Sequence, residues 1–251
     1  MSEKIALISG ATSGIGYASA RKLANSGYNI IACGRREERL LKLQNELEGL
    51  CEVKTLCFDI RDRKDVFSKV NSLEESWQNI NLLLNNAGNA HGLSNFQEAS
   101  LDDWEMMLDI NVKGLLYLTK AVLPFMLKQD FAHIINIGSI AGKEVYPNGN
   151  VYCASKHAVD AINQGLRIDL VQENIKVSQI APGLVETEFS LVRFKGDVDK
   201  SSKVYEGYEA LKPKDIADLV QFMASRPRHV NIADVLVLPA AQATSSLLNK
   251  S

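Results

Sequence analysis

A chain of 251 residues, 46% hydrophobic and 23% charged, is long and apolar enough to bury a core, which argues against a disordered protein. The formal net charge of −2 gives no overall attraction to nucleic acid or to an anionic membrane, so neither is an expected partner. The four cysteines and four histidines lack metal-ligand spacing, so no metal is expected. Free thiols, an N-terminus unlike a signal peptide and the lack of a membrane-length apolar run predict a cytoplasmic protein.

Short apolar runs alternate with longer amphipathic patterns along the chain. The runs predicted as strands are residues 4–9, 29–33, 53–58, 81–86, 133–139, 176–183 and 235–238. The predicted helices are residues 14–26, 39–47, 66–77, 101–128, 152–172 and a short helix after Pro213. Nearly all-apolar strands indicate a sheet covered on both faces, and the alternation indicates parallel βαβ units. We therefore predict an α/β fold, a doubly wound Rossmann-type parallel sheet, in a single domain spanning residues 1–251.

The segment 186–208 interrupts this alternation. It is polar, charged and only weakly periodic. Such a segment between elements of one domain is typical of a mobile loop that carries function, and we expect it to be a substrate lid.

A glycine-rich turn, GATSGIG, joins the first strand to the first helix. Glycines let backbone N–H groups approach phosphate oxygens closely, and the helix N-terminus adds partial positive charge. The motif therefore predicts a nucleotide site, although a plain strand-to-helix turn also uses glycine. The residues expected to hold the cofactor here are Gly10, Thr12, Ser13, Gly14, Ile15 and Gly16.

Two adjacent arginines follow the second strand, where many dinucleotide sites carry an acid for the ribose 2′-hydroxyl. Arg35 and Arg36 offer guanidinium groups that suit a 2′-phosphate instead. NADP is therefore the expected cofactor. The alternative is that the two arginines merely solvate the start of a helix or pair with Glu37 and Glu38.

Tyr152 and Lys156 are four residues apart, which places both on one face of a helix. A tyrosine titrates near pH ~10, and an ammonium about 4 Å away would lower its pKa by roughly three units. The spacing alone is common on helix surfaces. Its companions are Ser139 at a strand end, Asn111 in the long helix, and Pro182-Gly183 after the next strand.

GATSGIG, the NNAG at residues 85–88, and the ordered set Asn111, Ser139, Tyr152, Lys156 resemble the short-chain dehydrogenase/reductase family over nearly the whole chain. The resemblance implies that Tyr152 exchanges a proton with the substrate and that Lys156 lowers its pKa and holds the nicotinamide ribose. It further implies that Ser139 orients the carbonyl and Asn111 organises a water relay. The cofactor contacts it implies beyond the first turn are Asp59, Ile60, Asn86, Ala87, Gly88, Tyr152, Lys156, Pro182, Gly183, Val185 and Thr187. Asp59 could instead cap a helix.

A narrower resemblance is to the NADP-dependent 3-hydroxy acid dehydrogenases, which act on serine, allo-threonine and 3-hydroxypropionate. It is carried by ACGRREERL, HIINIGSIAG, GNVYCASK and APGLVETEFSLVRFKGD. Such a substrate needs a cation for its carboxylate. Arg193 and Lys195 are candidates, and Arg193 is favoured because it can bind in a bidentate way. The alternative for Arg193 is a solvent-facing charge or a subunit contact.

Two other functions stay open. A broad carbonyl or 3-oxoacyl reductase is one, although the last strand lacks the Asp-Gly-Gly ending typical of such reductases. A catalytically silent NADP-sensing protein is the other. Helices 101–128 and 152–172 carry apolar residues on more than one face, which, with the family resemblance, predicts a homotetramer.

Overall fold

A computed structural model describes residues 4–250 and contains a seven-stranded parallel sheet. The predicted domain ends, residues 1 and 251, lie outside the described part. The strands are β1 Lys4–Ser9, β2 Tyr28–Gly34, β3 Val53–Cys57, β4 Ile80–Asn85, β5 Ala132–Ile137, β6 Ile175–Pro182 and β7 Asp234–Val237. Their order in the sheet is β3-β2-β1-β4-β5-β6-β7. The order reverses at β1 and β4, so a crevice opens beyond their carboxyl ends.

Helices cover both faces of the sheet, which is why the strands are apolar throughout. They are α1 Gly14–Ala24, α2 Glu37–Leu47, α3 Arg63–Asn71, α4 Leu101–Leu108, α5 Leu115–Met126, α6 Asn150–Asp169, α7 Phe189–Arg193, α8 Val198–Lys203 and α9 Pro213–Ala224. Alternate residues of β1 enter different cores: Leu7 packs with residues of α3 and α5, and Ile8 packs with residues of α1, α2 and α9. The predicted α/β doubly wound fold is confirmed.

The long helix predicted over 101–128 is not regular. Residues Asp109–Gly114 form a π-helical segment between α4 and α5. Gly114 packs tightly there, since a Cβ at this position would lie 2.9 Å from Cγ2 of Ile60. Apolar periodicity continues through the segment, so the sequence pattern alone did not reveal it.

The helix predicted over 66–77 was also wrong in extent. Asp62 caps α3 by accepting hydrogen bonds from the backbone N–H groups of Lys64 and Asp65, at 2.9 and 3.1 Å. The helix ends at Asn71, and a separate 3₁₀ turn spans Glu75–Trp77. Because Asp62 is the capping residue, the suggestion that Asp59 caps a helix was wrong.

The segment 186–208 contains α7 and α8, which its weak periodicity did not predict. Its two ends are joined, because the Glu186 N–H donates to the Leu211 carbonyl at 2.8 Å and the Leu211 N–H donates to the Leu184 carbonyl at 3.1 Å. These two backbone hydrogen bonds hold together the chain before and after the segment. Among residues 4–250, no helix is both long and apolar enough to cross a membrane.

Candidate active site

A cleft of about 520 Å³ lies at the carboxyl edge of the sheet, a volume typical of small-molecule sites. Most of the predicted site residues line it. They are Gly10, Thr12, Ser13, Gly14, Ile15, Arg35, Arg36, Asp59, Ile60, Asn86, Ala87, Gly88, Ser139, Tyr152, Lys156, Pro182, Gly183, Val185, Thr187 and Arg193. Gly16 and Asn111 are the two that do not. The fold therefore brings residues from six strand ends and from the segment 186–208 into one place.

The glycine turn is built for close approach. Gly10 and Gly14 have φ values of +66° and +53°, which other residues adopt at a cost. A Cβ on Gly16 would lie 2.3 Å from the Gly10 carbonyl oxygen, so Gly16 serves the packing of α1 on this turn. Ser13 makes no side-chain cap on α1, which leaves the first-turn N–H groups available to an anion. This cradle fits a dinucleotide pyrophosphate.

Arg36 faces the same turn. Its Nη2 donates to the hydroxyls of Thr12 and Ser13 at 3.0 and 2.9 Å, and its Nη1 donates to Glu188 at 2.9 Å. A phosphate placed beside Arg36 would therefore meet one guanidinium and two hydroxyl donors, which is the chemistry that a 2′-phosphate needs.

Arg35 lies on the other side of the same opening, with its Nη1 3.5 Å from Oδ2 of Asp59. Neither Arg35 nor Arg36 pairs with Glu37 or Glu38 within residues 4–250, so the pairing alternative was wrong.

Asp59 is held in place by Arg61, whose Nε and Nη2 donate to it at 3.0 and 2.6 Å. Burial raises the pKa of the Asp59 carboxyl, but hydrogen bonds from Arg61 and the charge of Arg35 outweigh it, so the pKa is lowered. Asp59 is therefore ionised at neutral pH. Ile60 beside it is buried and also lines the cleft.

Tyr152 and Lys156 project from α6 into the cleft and are 8% and 7% exposed. The ammonium of Lys156 donates to the Ile137 carbonyl at 3.1 Å, and burial lowers its pKa to about 8. Ser139 follows β5, and its Oγ accepts from the Ala141 N–H at 3.0 Å. The Ser139 hydroxyl hydrogen is therefore left for another acceptor.

The pKa of Tyr152 is raised, which is opposite to the direction expected from a neighbouring lysine. Burial has the largest effect, Tyr146 adds to it, and the interactions with Ser139 and Arg193 lower it only in part. Desolvation of the phenol thus outweighs the hydrogen bond from Ser139 and the positive charge of Arg193. The phenol is protonated at neutral pH, which is the form that can donate a proton.

Asn111 lies in the π-helical segment and is buried. Its Oδ1 accepts from the Asn89 N–H at 2.8 Å, and its Nδ2 donates to the Asn89 carbonyl at 2.9 Å and to Ser155 Oγ at 3.0 Å. The two side-chain donor hydrogens are therefore used on Asn89, which lines the cleft, and on Ser155 of α6. The water relay remains a prediction.

The loop after β6 reaches across to the glycine turn. A Cβ on Gly14 would lie 3.2 Å from Cγ2 of Thr187, and the Thr187 hydroxyl accepts from the Phe189 N–H at 3.1 Å. Position 183 has no room for a side chain, since a Cβ there would lie 2.2 Å from Oε1 of Gln242. Thr187 therefore connects the start of α7 with the glycine turn.

The segment 186–208 carries Arg193 to the Tyr152 side of the cleft. The guanidinium carbon lies 5.5 Å from the Tyr152 ring centroid, and Nη2 donates to the Tyr146 hydroxyl at 2.8 Å. Lys195 pairs instead with Asp103 at 2.9 Å, is 61% exposed, and does not line the cleft. Of the two predicted cations, Arg193 is the one within reach of Tyr152.

The residues of this site that sequence reasoning missed include Tyr146, Asn89 and Glu188. Glu188 links the segment 186–208 to the start of α2 through Arg36 and Arg39, at 2.9 and 2.6 Å. These partners are about 150 positions away in the chain, so no local pattern marks them. The ACGRREERL motif contains both arginines but carries no signal for their contact with Glu188.

Residues 4–196 match the family described as short chain dehydrogenase. The chain belongs to this family. The NADP-dependent 3-hydroxy acid dehydrogenase YdfG of Salmonella typhi is 46% identical over 97% of this chain and 98% of its own. Sulfoacetaldehyde reductase 2 of Chromohalobacter salexigens is 43% identical over 96% of each chain. Among solved structures, the closed form of serine dehydrogenase complexed with NADP+ superposes with a TM-score of 0.92 at 43% identity, covering 98% of this chain and 99% of that one.

The protein is thus an NADP-dependent oxidoreductase that acts on hydroxyl groups, and the predictions of family, enzyme class and cofactor are confirmed. The geometry agrees with the cofactor, because the glycine cradle and the donors around Arg36 fit a dinucleotide with a 2′-phosphate. The alternative of a catalytically silent NADP-sensing protein was therefore wrong.

Proposed function

We propose that this oxidoreductase interconverts a 3-hydroxy acid and its 3-oxo acid, with serine, allo-threonine and 3-hydroxypropionate as the substrate types. One observation carries the proposal: Arg193 lies 5.5 Å from the Tyr152 ring centroid inside the NADP cleft. In a 3-hydroxy acid the carboxylate is separated from the reacting carbon by a single CH₂-type carbon. A cation beside the acid/base group can therefore hold the carboxylate while the hydroxyl oxygen meets the phenol.

The proton steps belong to Tyr152 and Ser139. In reduction, the Tyr152 hydroxyl donates its proton to the substrate oxygen, and in oxidation the phenolate accepts it. Ser139 donates its hydroxyl hydrogen to the same oxygen, since its Oγ already accepts from the Ala141 N–H. The raised pKa of Tyr152 keeps the phenol protonated at neutral pH, which is the form that the donor role needs.

When bound, the cofactor would supply the hydride chemistry: NADPH would donate a hydride in reduction, and NADP+ would accept one in oxidation. Arg35, Arg36 and Thr12 would hold its 2′-phosphate, and the glycine turn its pyrophosphate. Lys156 uses one N–H on the Ile137 carbonyl, which leaves two donors for the ribose hydroxyls. The element from Pro182 to Thr187 borders the nicotinamide end in this arrangement.

The segment 186–208 serves as the substrate lid in this proposal. Phe189, Arg193 and Tyr205 from this segment line the cleft together with Tyr152. Tyr205 ties the lid together, because its hydroxyl donates to the Val185 carbonyl at 3.0 Å and lies 2.8 Å from Ser190 Oγ. The lid thus supplies both the cation and part of the apolar wall.

A second candidate substrate is an aldehyde that bears a sulfonate, as in sulfoacetaldehyde. The observation that favours it is the 43% identity to sulfoacetaldehyde reductase 2. A sulfonate is an anion close to the carbonyl, and Arg193 could bind it through the same N–H groups as a carboxylate.

The test is NADP reduction by the wild-type enzyme with L-serine, D-serine, L-allo-threonine, 3-hydroxypropionate and 2-propanol, and NADPH oxidation with sulfoacetaldehyde and a 3-oxoacyl thioester. The proposal expects the highest kcat/KM with a 3-hydroxy acid. Highest activity with sulfoacetaldehyde selects the second candidate. Higher activity with 2-propanol or the thioester than with any anionic small molecule would contradict the proposal and select the broad carbonyl or 3-oxoacyl reductase.

A homotetramer is proposed as well. Large apolar side chains remain exposed along α4, α5 and α6, among them Leu101 at 67%, Leu116 at 42% and Ile168 at 71%. Such a surface is typical of subunit interfaces. Sedimentation at micromolar concentration should give four times the chain mass of 27.7 kDa, and a monomer would refute this part.

A further inference from the structure

The loop that leads into α6 places a second tyrosine against Arg193. The Tyr146 hydroxyl accepts from Nη2 of Arg193 at 2.8 Å, and the Gly92 carbonyl accepts from Nε at 3.3 Å. The guanidinium carbon is 5.5 Å from the ring centroids of both Tyr146 and Tyr152. Arg193 is therefore held at two of its nitrogen atoms and between two aromatic rings.

This arrangement leaves part of the guanidinium for a ligand. Among residues 4–250, Nη1 of Arg193 has no hydrogen-bond partner, and Nη2 uses one of its two hydrogens on Tyr146. Three N–H groups thus remain for the oxygens of an anion in the cleft. A free arginine loses rotamer entropy when it binds, whereas one already fixed loses less.

The turn that carries Tyr146 is shaped to hold its ring. The Tyr146 carbonyl accepts from the Gly149 N–H at 3.1 Å, and Asn148 between them has a φ of +64°. A Cβ on Gly149 would lie 2.3 Å from Cε2 of the Tyr146 ring, so the ring sits where only glycine leaves room. The Tyr146 ring therefore packs directly against its own turn.

The backbone also joins the two sides of this clamp. The Gly92 N–H donates to the Arg193 carbonyl at 2.9 Å, while the Gly92 carbonyl accepts from the Arg193 side chain. Lys195 adds an ion pair to Asp103 of α4 at 2.9 Å. The end of α7 is thus anchored independently of Tyr146, so the loss of one hydroxyl leaves the lid attached.

We infer that Tyr146 is a positioning residue, which sets the Arg193 guanidinium for the substrate anion and so helps to select anionic over neutral substrates. The inference rests on the proposed function. Its effect on substrate choice falls on the affinity for the anion, because Tyr146 bonds to Arg193 and not to the glycine turn or to Lys156. Its effect on the pKa of Tyr152 is shared by every substrate.

Tyr146→Phe removes the hydroxyl and keeps the ring. Loss of one hydrogen bond to a charged group should raise KM for 3-hydroxypropionate about tenfold. The Kd for NADP and the Tm should not change. Because Tyr146 also acts on the pKa of Tyr152, any change in kcat should be the same for the acid and for 2-propanol, so the readout is the KM for the acid relative to the KM for 2-propanol. In an Arg193→Ala background, Tyr146→Phe should change the KM for the acid by less than about twofold, because the group that it positions is gone.

Tyr205→Phe is the matched control, since its hydroxyl also bonds within the lid but not to Arg193. A loosened lid should alter the acid and the neutral alcohol alike. If Arg193→Ala raises KM for the acid and Tyr146→Phe does not, the inference fails and the proposed function stands. The inference also fails, and the proposed function stands, if Tyr146→Phe raises the KM for the acid as much in the Arg193→Ala background as in the wild type. If Arg193→Ala leaves the preference for the acid unchanged, the proposed function itself fails.

Discussion

Arg36 should decide the choice between NADPH and NADH. Its side chain is 43% exposed and shares Glu188 with Arg39, so Arg36→Ala leaves Glu188 paired and should cost little stability. Hydrogen bonds to a charged group contribute about 1.5–3 kcal/mol, which corresponds to a rise in the Kd for NADPH of about 10- to 150-fold. The Kd for NADH, which has no 2′-phosphate, should change by less than about threefold on the same scale.

The assay is a fluorescence titration of each cofactor against wild type, Arg36→Ala and Arg39→Ala. Arg39 is the control because it binds the same carboxylate at 2.6 Å but does not line the cleft. Arg39→Ala should therefore leave the ratio of the two affinities near that of the wild type. Equal losses for NADPH and NADH in Arg36→Ala would refute the assignment of the phosphate site.

Two further predictions follow from burial and packing. Burial lowers the pKa of Lys156 from 10.5 to about 8. Between these two pH values the unfolded chain binds more protons at Lys156 than the folded chain does. The contribution of Lys156 to the free energy of unfolding therefore rises with pH over this interval. Lys156→Met should therefore raise the Tm at pH 7 while abolishing activity, and a lower Tm at pH 7 would contradict the cause given for the shift. Gly16→Ala should cost about 1–3 kcal/mol and weaken NADP binding, because its Cβ meets the Gly10 carbonyl, which cannot move freely. Gly165→Ala, with nothing within 4 Å of the added Cβ, should not destabilise in the same denaturant titration.

The fold and the cofactor end of the site were predictable because their signals are local. Apolar runs marked the strands, and the residues that follow β1, β2 and β4 necessarily meet at one edge of a parallel sheet. The glycine turn and Arg36 could thus be placed together without knowing any contact. Ser139 was predictable for the same reason, because it follows β5. Tyr152 lies in α6 and was identified by its spacing to Lys156 together with the family resemblance, which also implied the roles of both residues.

The contacts of the segment 186–208 were harder to predict, because they join residues that are far apart in the sequence. Tyr146 meets Arg193 from 47 positions away, and Glu188 meets Arg36 from 152 positions away. The pKa of Tyr152 was mispredicted because the extent of its burial, and not the spacing to Lys156, has the largest effect. The π-helical segment around Asn111 was not predicted, because the periodicity of apolar residues does not show whether the backbone hydrogen bonds follow the α-helical or the π-helical pattern.

The central claim is that Arg193 binds the substrate carboxylate beside Tyr152. The most direct measurement is the ratio of kcat/KM for 3-hydroxypropionate to kcat/KM for 2-propanol, in wild type, Arg193→Ala and Lys195→Ala. The ratio cancels any effect of Arg193 on the acidity of Tyr152, since both substrates use the same phenol. Arg193→Ala should lower the ratio about 10- to 150-fold, and Lys195→Ala should leave it unchanged. An unchanged ratio in Arg193→Ala would contradict the account.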